Sequence, residues 1–376
     1  MILAWDDAQY AHIPIEANNY HWALTQMCPL FFELMPFVEY QAPVFKRNYR
    51  LDADMPGDPV ETPLLVPTSP IALPAATPWN STTKGRQALW QLTCMESPYL
   101  DDKNSALFSQ IEDPRVANLK SNLRALGSLL IRRIIAATTT PPADAVGGLA
   151  ANLAGWINTT PAVNQGYNAL VFADYVLPYN AQMWLVDFSG GSLTVGNVSI
   201  LNKAIRMIDG APSMWIVPEA WVDAMSNSFY KRGSMIPTMI FEMAFFSQDP
   251  VKFSVYSYGG VPIVAIPNSI YDAAGHTASN PAGTNDYAIY LIKSAIADPF
   301  DGVSIVVSGS MQPDNEEEII PGLNTLNLGT GISLERNGRV QDSTGVYRAE
   351  GRVLSMNCQC IVGDPSSCVI ITGVQD

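Results

Sequence analysis

Three histidines and five cysteines are the side chains of this chain best suited to metal ligation, proton transfer or nucleophilic attack. His12, His21 and His276 are widely scattered, and no His-Glu-x-x-His or paired-cysteine spacing accompanies them, so no zinc site is assembled in sequence. His276 lies four residues after Asp272 and could pair with it as base and orienting carboxylate. In its Gly/Ser/Asn-rich surroundings the pair reads instead as a surface turn. Cys358-Gln359-Cys360 could form a redox pair or half a metal site, yet in an apolar strand region two packed thiols are the simpler reading. With Cys28, Cys94 and Cys368 the cysteine count is odd and scattered, which suits reduced thiols. Ser308-Gly309-Ser310 and Ser189-Gly190-Gly191-Ser192 lack the Gly-x-Ser-x-Gly elbow of a serine nucleophile, and no Gly-Lys-Ser/Thr phosphate loop occurs. The sequence therefore assigns no catalytic, cofactor-binding or metal-binding residue, and no cofactor.

The elements that would position functional groups are legible over much of the chain. Ser213–Val217 is a short apolar run stopped by Pro218, which suits a buried strand. Pro218 also starts a helix through Glu219–Met225, because a missing N–H costs nothing in a first turn. Tyr258-Gly259-Gly260-Val261-Pro262-Ile263-Val264 predicts a glycine bend feeding a strand, and 286–292 and 302–307 predict two more buried strands. A long helix is expected from about 113 to 137. Asp113 can cap it, Pro114 fits its first position, Val116, Leu119, Leu123, Leu126 and Leu130 recur at three-and-four spacing, and Pro141-Pro142 lies beyond its end. Thr194 is placed to cap a second amphipathic helix bearing Val198, Leu201, Ile205 and Ile208 and ending at Gly210, to pack on a sheet. A short helix is expected around Tyr20–Met27. The Ala/Gly/Asn-rich stretch 143–192 gives no firm element. Prolines at 56, 59, 63, 67, 70, 74 and 78 exclude helix and favour extended chain, either a linker or a long projecting loop. Asp314-Asn315-Glu316-Glu317-Glu318 reads as a solvated loop.

At 376 residues and 48% hydrophobic content the chain can bury two or three compact units. A formal net charge of -14 argues against a dedicated nucleic-acid binder unless its basic residues are segregated. Five of the 21 Lys and Arg fall on the long helix: Arg115, Lys120, Arg124, Arg132 and Arg133. They form either an ordinary solvated face or a surface that meets packaged DNA through phosphates without reading sequence. Met1–Asp7 lacks the basic start of an export signal, and Arg132-Arg133 interrupts the most apolar helix, so a soluble cytosolic protein without membrane contact is expected.

The order of these elements, with the Gly-Val-Pro-Ile-Val strand start at 260–264, the Asp-Tyr-Ala-Ile-Tyr strand at 286–290, and the closing strands near 347–354 and 368–374, resembles the major capsid proteins of tailed bacteriophages with the Hong Kong 97 type fold. The resemblance covers roughly the last two-thirds of the chain by order of elements. It implies an α+β protein with an N-terminal arm (1–44), an extended proline-rich β-hairpin loop (45–100), a peripheral domain (101–147 and 311–360) holding the spine helix, and an axial domain (148–310 and 361–376). It further implies subunits assembling as homo-pentamers and homo-hexamers into an icosahedral shell around double-stranded DNA. Scaffolding, portal and cement proteins would be the partners, with a place in the virion after assembly in the bacterial cytoplasm. Some members weld neighbours by an isopeptide bond between a loop lysine and an asparagine in the C-terminal part. Lys84 and Asn357 stand in the corresponding regions, without a motif that matches residue by residue. Two other readings remain: an encapsulin-like compartment shell sharing the fold, and, from a different class, a cytosolic hydrolase with an unrecognised site.

Overall fold

A computed structural model describes residues 13–15, 28–35, 37–40, 44–50, 85–102, 114–138, 145–157, 185–187, 199–208, 210–231, 237–243, 251–276, 287–295, 302–308, 332–341, 347–363 and 365–374. The elements run β1 (Ile13–Ile15), α1 (Pro29–Leu34), β2 (Phe37–Tyr40), β3 (Val44–Arg50), β4 (Gly85–Gln91), β5 (Thr93–Asp102), α2 (Pro114–Ile134), α3 (Leu149–Ile157), β6 (Leu185–Asp187), α4 (Ser199–Met207), β7 (Met214–Pro218) and α5 (Glu219–Lys231). They continue with β8 (Thr238–Met243), β9 (Val251–Tyr258), β10 (Val261–Ile266), α6 (Asn268–Tyr271), β11 (Tyr287–Ile292), β12 (Val303–Ser308), β13 (Ile332–Gln341), β14 (Tyr347–Val362) and β15 (Cys368–Val374).

Three sheets form. A seven-stranded sheet has the order β6-β15-β11-β7-β10-β9-β8. A six-stranded sheet has the order β1-β2-β12-β14-β13, with β5 also paired to β14. The third consists of β3 and β4 alone, antiparallel from Val44 opposite Gln91 to Arg50 opposite Gly85.

Strand periodicity explains the layering. In β7, Met214 and Ile216 enter one core while Trp215 and Val217 enter another, and Tyr290 and Ile292 of β11 and Ile370 of β15 likewise alternate with Ile289, Leu291 and Val369. Both faces of the seven-stranded sheet are therefore apolar, which is why these segments read as continuous hydrophobic runs. One face carries α4 and α5 through Leu201, Ala204, Trp221 and Met225. The other shares a large core with the six-stranded sheet, where Leu354, Met356, Cys358, Cys360 and Val362 of β14 point inward. Into that shared core α2 inserts Leu119, Leu123, Leu126, Leu130, Ile131 and Ile134, all fully or nearly fully buried. The leucine spacing read from sequence is the buried stripe of this helix.

Several expectations are corrected. Of the residues expected as an extended N-terminal arm, Cys28, Phe31, Phe32, Met35 and Phe37 are buried in the core that α2 enters, and β2 pairs in parallel with β12. An aromatic cluster, with Phe32 stacked on Phe37 at 5.8 Å and edge-on to Phe31, gives this short segment enough apolar area to dock. The strand at Val303–Ser308, expected with the axial unit, pairs with β14 and β2 in the six-stranded sheet. The helix expected from Thr194 begins at Ser199, with Leu201, Ala204 and Ile208 as its buried stripe. In the stretch without a firm expectation, α3 forms. The Tyr20–Met27 helix, the proline run, Asp113, Thr194 and the acidic cluster lie outside the described residues.

The Gly259-Gly260 bend links β9 to β10 with φ of 61° and 80°. Tyr258 beside it is held twice: its carbonyl accepts from Trp215 Nε1 at 3.3 Å, and its hydroxyl donates to Asn202 Oδ1 of α4 at 3.0 Å. A Cβ on Gly259 would lie 2.5 Å from Ile205 Cδ1, whereas one on Gly260 would meet nothing within 4 Å. Gly260→Ala should therefore lose only the left-handed backbone term of roughly 1–2 kcal/mol, and Gly259→Ala should lose more because α4 must also shift. Equal losses in chemical denaturation would show that Ile205 simply turns aside.

Candidate functional site

The part of the molecule that departs most from a self-contained core is the β3–β4 hairpin. Among the described residues its strands pair only with each other. It is fixed at its root by Trp90, whose side chain is 1% exposed and whose Nε1 donates to Asn152 Oδ1 of α3 at 3.0 Å. Asn152 Nδ2 donates to the carbonyls of Gly148 (2.9 Å), Cys360 (3.2 Å) and Gly147 (3.3 Å). Gln359 of β14 completes the joint: its Oε1 accepts from Gly147 N at 2.7 Å and Cys360 N at 3.2 Å, and its Nε2 donates to Gln91 O at 2.9 Å, just past Trp90. Both buried amides thus use their donors and their acceptors, the condition under which a buried polar group fixes geometry without a desolvation penalty left over. Sequence reading did not single out Asn152 or Gln359, because the contacts that tie them into the joint reach Trp90, Cys360, Gly147 and Gln91, 62 to 268 residues away.

The described basic side chains of α2 differ in setting. Arg124 is exposed, while Arg132 and Arg133 are half-buried, with Arg132 Nε folded back onto Ser128 O at 3.4 Å. Arg124 and Arg133, nine residues apart, stand about 180° apart around the helix axis. Arg115 and Lys120 lie in the helix by their backbone. Ser121 and Ala125 are exposed beside Arg124, so the open side of α2 is short-chained and carries that one described cation. Asn357 is half-buried in the middle of β14, opposite Cys94 of β5, and Lys84 lies outside the described residues.

None of the five cysteines forms a disulfide, in line with reduced thiols. Cys94 is exposed; the other four are buried. Burial pushes the Cys28 thiol up to about 12, helped by Glu219, and pushes Cys360 up to about 12. The thiols of Cys358 and Cys368 are raised by burial as well. Such thiols are packing groups, not nucleophiles. The described residues hold no group of three or more His, Cys, Asp or Glu able to share a metal ion. They contain no helix long and apolar enough to cross a membrane.

His276 corrects the sequence reading. It is not on a surface turn: 5% exposed, its Nε2 is hydrogen-bonded to the Ile135 carbonyl at the end of α2. A buried histidine inside a Gly/Ser/Asn-rich stretch carries no local signal, since its burial depends on a helix end 141 residues earlier.

No protein-family model and no curated protein matches this chain. Among solved structures, the holo-SrpI encapsulin complex from Synechococcus elongatus superposes with a TM-score of 0.54 at 14% identity, covering 92% of this chain and 87% of that one. The chain has the Hong Kong 97 type fold. Mycobacterium phage Bobi (TM-score 0.49, 10% identity, 99% and 95% coverage) and the capsid of a native GTA particle (TM-score 0.48, 12% identity, 97% and 92% coverage) are looser likenesses that add nothing to the fold assignment.

Two outcomes follow from the site geometry. Asn152→Leu strands the buried Trp90 N–H and removes partners from three carbonyls, so it should cost at least about 2–3 kcal/mol in denaturant unfolding; a loss under about 0.5 kcal/mol would show that the joint is not a structural constraint. In the native protein one thiol, Cys94, should react quickly with a thiol-specific reagent at pH 8, and five after denaturation. A second fast thiol would contradict the burial of the other four.

Proposed function

We propose that this chain is a major capsid protein, the structural subunit of an icosahedral head enclosing double-stranded DNA. The observation that supports this most directly is the β3–β4 hairpin, a two-stranded ribbon outside both large sheets. An isolated hairpin is marginal in water, and its open edges invite pairing. A subunit whose hairpin is completed by the next subunit gains that stability on assembly. The open face of the six-stranded sheet, where Leu100 is 59% exposed beside exposed Pro98, Glu96 and Cys94, is the kind of surface such an arm covers. Repeated heterologous contacts of this type close into rings, here pentamers and hexamers, and the rings into a shell. On this reading the N-terminal arm (1–44) is anchored to its own subunit by β1 and β2, the six-stranded sheet and α2 form the peripheral part, and the seven-stranded sheet forms the axial part.

Arg124, with Lys120 one turn before it, is the proposed phosphate contact of the inner surface. Scaffolding, portal and cement proteins would be the further partners, in a virion built in the bacterial cytoplasm. Welding of Lys84 to a neighbour's Asn357 would extend the same contact; denaturing gels of particles showing only bands near 40.9 kDa would exclude it.

The likeness to an encapsulin favours a second reading, a compartment shell of the same architecture that holds cargo protein. Purified particles separate the two: nuclease-protected DNA supports the head, co-purifying cargo without DNA supports the compartment. Replacing 51–84 with a short turn should leave folded subunits that no longer assemble; unimpaired assembly would remove the segment between β3 and β4 from the account. Charge reversal at Lys120 and Arg124 should reduce DNA retention more than shell yield, and the opposite order would reassign these residues to assembly.

A further inference from the structure

The end of α2 is held by side chains from a different layer of the molecule. The Ile135 carbonyl, one residue past the helix, is one of the groups a helix end leaves without an internal partner. It accepts from Tyr290 Oη of β11 at 2.9 Å and from His276 Nε2, and these two donors stand 3.3 Å apart. Ala137 N donates to Ala274 O at 3.1 Å, so backbone reinforces the contact. The chain turns to deliver His276 through Gly275, whose φ is 89°. The imidazole lies between two tyrosine rings, 5.1 Å from Tyr271 and 6.3 Å from Tyr290 by centroid.

We propose that this joint, Ile135 gripped by His276 and Tyr290, is an acid-sensitive latch that is closed with His276 neutral and opens when its imidazole takes up a proton. The closed joint uses only one ring nitrogen: Nε2–H donates to Ile135, and Nδ1 has no partner among the described residues. A proton added at Nδ1 therefore creates a second donor and a charge between two aromatic rings, with no acceptor in place among the described residues. The carboxylate that could answer it is at hand, because Asp272 Oδ1 is buried with no hydrogen-bond partner. Asp272 sits four residues before His276, so bringing the two together means rearranging the turn that docks on α2.

The titratable and charged groups around the imidazole are Asp272 and Tyr271 on its own segment, Tyr290 on β11, and Arg132 and Arg133 in the last turn of α2. Burial lowers the His276 pKa below its ordinary value, and this outweighs the Ile135 carbonyl and Asp272, which act the other way. Burial also raises the hydroxyls of Tyr271 and Tyr290, so both stay neutral donors over the relevant range. With the closed-state pKa depressed, the open state binds the proton more tightly. The latch is then at full strength above the ordinary histidine value of about 6.5 and weakens as pH falls from there toward the depressed value. The proposal concerns the single chain and stands whether or not it builds a shell.

Hydrogen exchange read by mass spectrometry on the full chain at pH 7.5 and pH 5.5, corrected for intrinsic rates, tests it. Peptides covering 131–138 and 268–276 should lose protection at pH 5.5 by up to about tenfold per unit between the two pKa values, while β7 at 214–218 keeps its protection. His276→Gln, which retains a donor but cannot titrate, should abolish the change; Asp272→Asn should move it to lower pH. Unchanged protection of the two joint peptides in the wild-type chain, or the same acid loss in His276→Gln, would overturn the proposal.

Discussion

The apolar stripe of α2 is the constraint on which the rest depends. Leu119, Leu123, Leu126, Leu130, Ile131, Ile134 and Ile135 leave no measurable side-chain surface to water beyond 1%, and each such burial contributes roughly 1.5–3 kcal/mol. The helix lies where two sheets share one core, so it gives the six-stranded sheet a lining and the seven-stranded sheet a second face. That position has a cost at the helix end, where carbonyls without intrahelical partners are buried. Tyr290 and His276 answer it at the Ile135 carbonyl, and Gly148 packs so closely beside it that a Cβ there would lie 2.8 Å from the Ile134 carbonyl oxygen. The Tyr290 and His276 contacts tie the helix end to segments 155 and 141 residues away, which joins α2 to the seven-stranded sheet.

Outside that unit the balance differs. The hairpin is attached by a polar joint instead of an apolar one, and a joint of two amides specifies direction more strictly than a patch of leucines, because every donor and acceptor must be met. A rigid root with an extended ribbon beyond it is a way to aim chain at a neighbour. On the proposed reading the stability of such a ribbon is coupled to concentration and assembly state, not to the fold of one subunit.

Much of this was legible because the signals were local. The leucines of α2, the proline at 218 and the glycine pair at 259–260 act through backbone geometry or periodicity within a few residues, and each element formed where expected. What was not legible depends on distant partners. α1 and β2 dock because Phe31, Phe32 and Phe37 find α2 and β12, and no period inside that segment announces it. Val303–Ser308 has the pattern of any buried strand, and only its pairing with β14 decides which sheet it joins. Of the basic residues of α2, Arg124 and Arg133 lie on opposite sides of the helix, which their number alone does not reveal. Asn152, Gln359 and His276 were missed or misread for one reason, that buried polar side chains are defined by what they meet across the core.

The central claim is that this subunit completes itself only in company with its copies. Expressing the chain, separating it by size and imaging the largest fraction by negative-stain electron microscopy tests this most directly. The account predicts rings, tubes or closed shells, alone or on co-expression with a scaffolding protein. A stable, fully folded monomer of 40.9 kDa that stays monomeric at high concentration and in the presence of candidate scaffolds would contradict it.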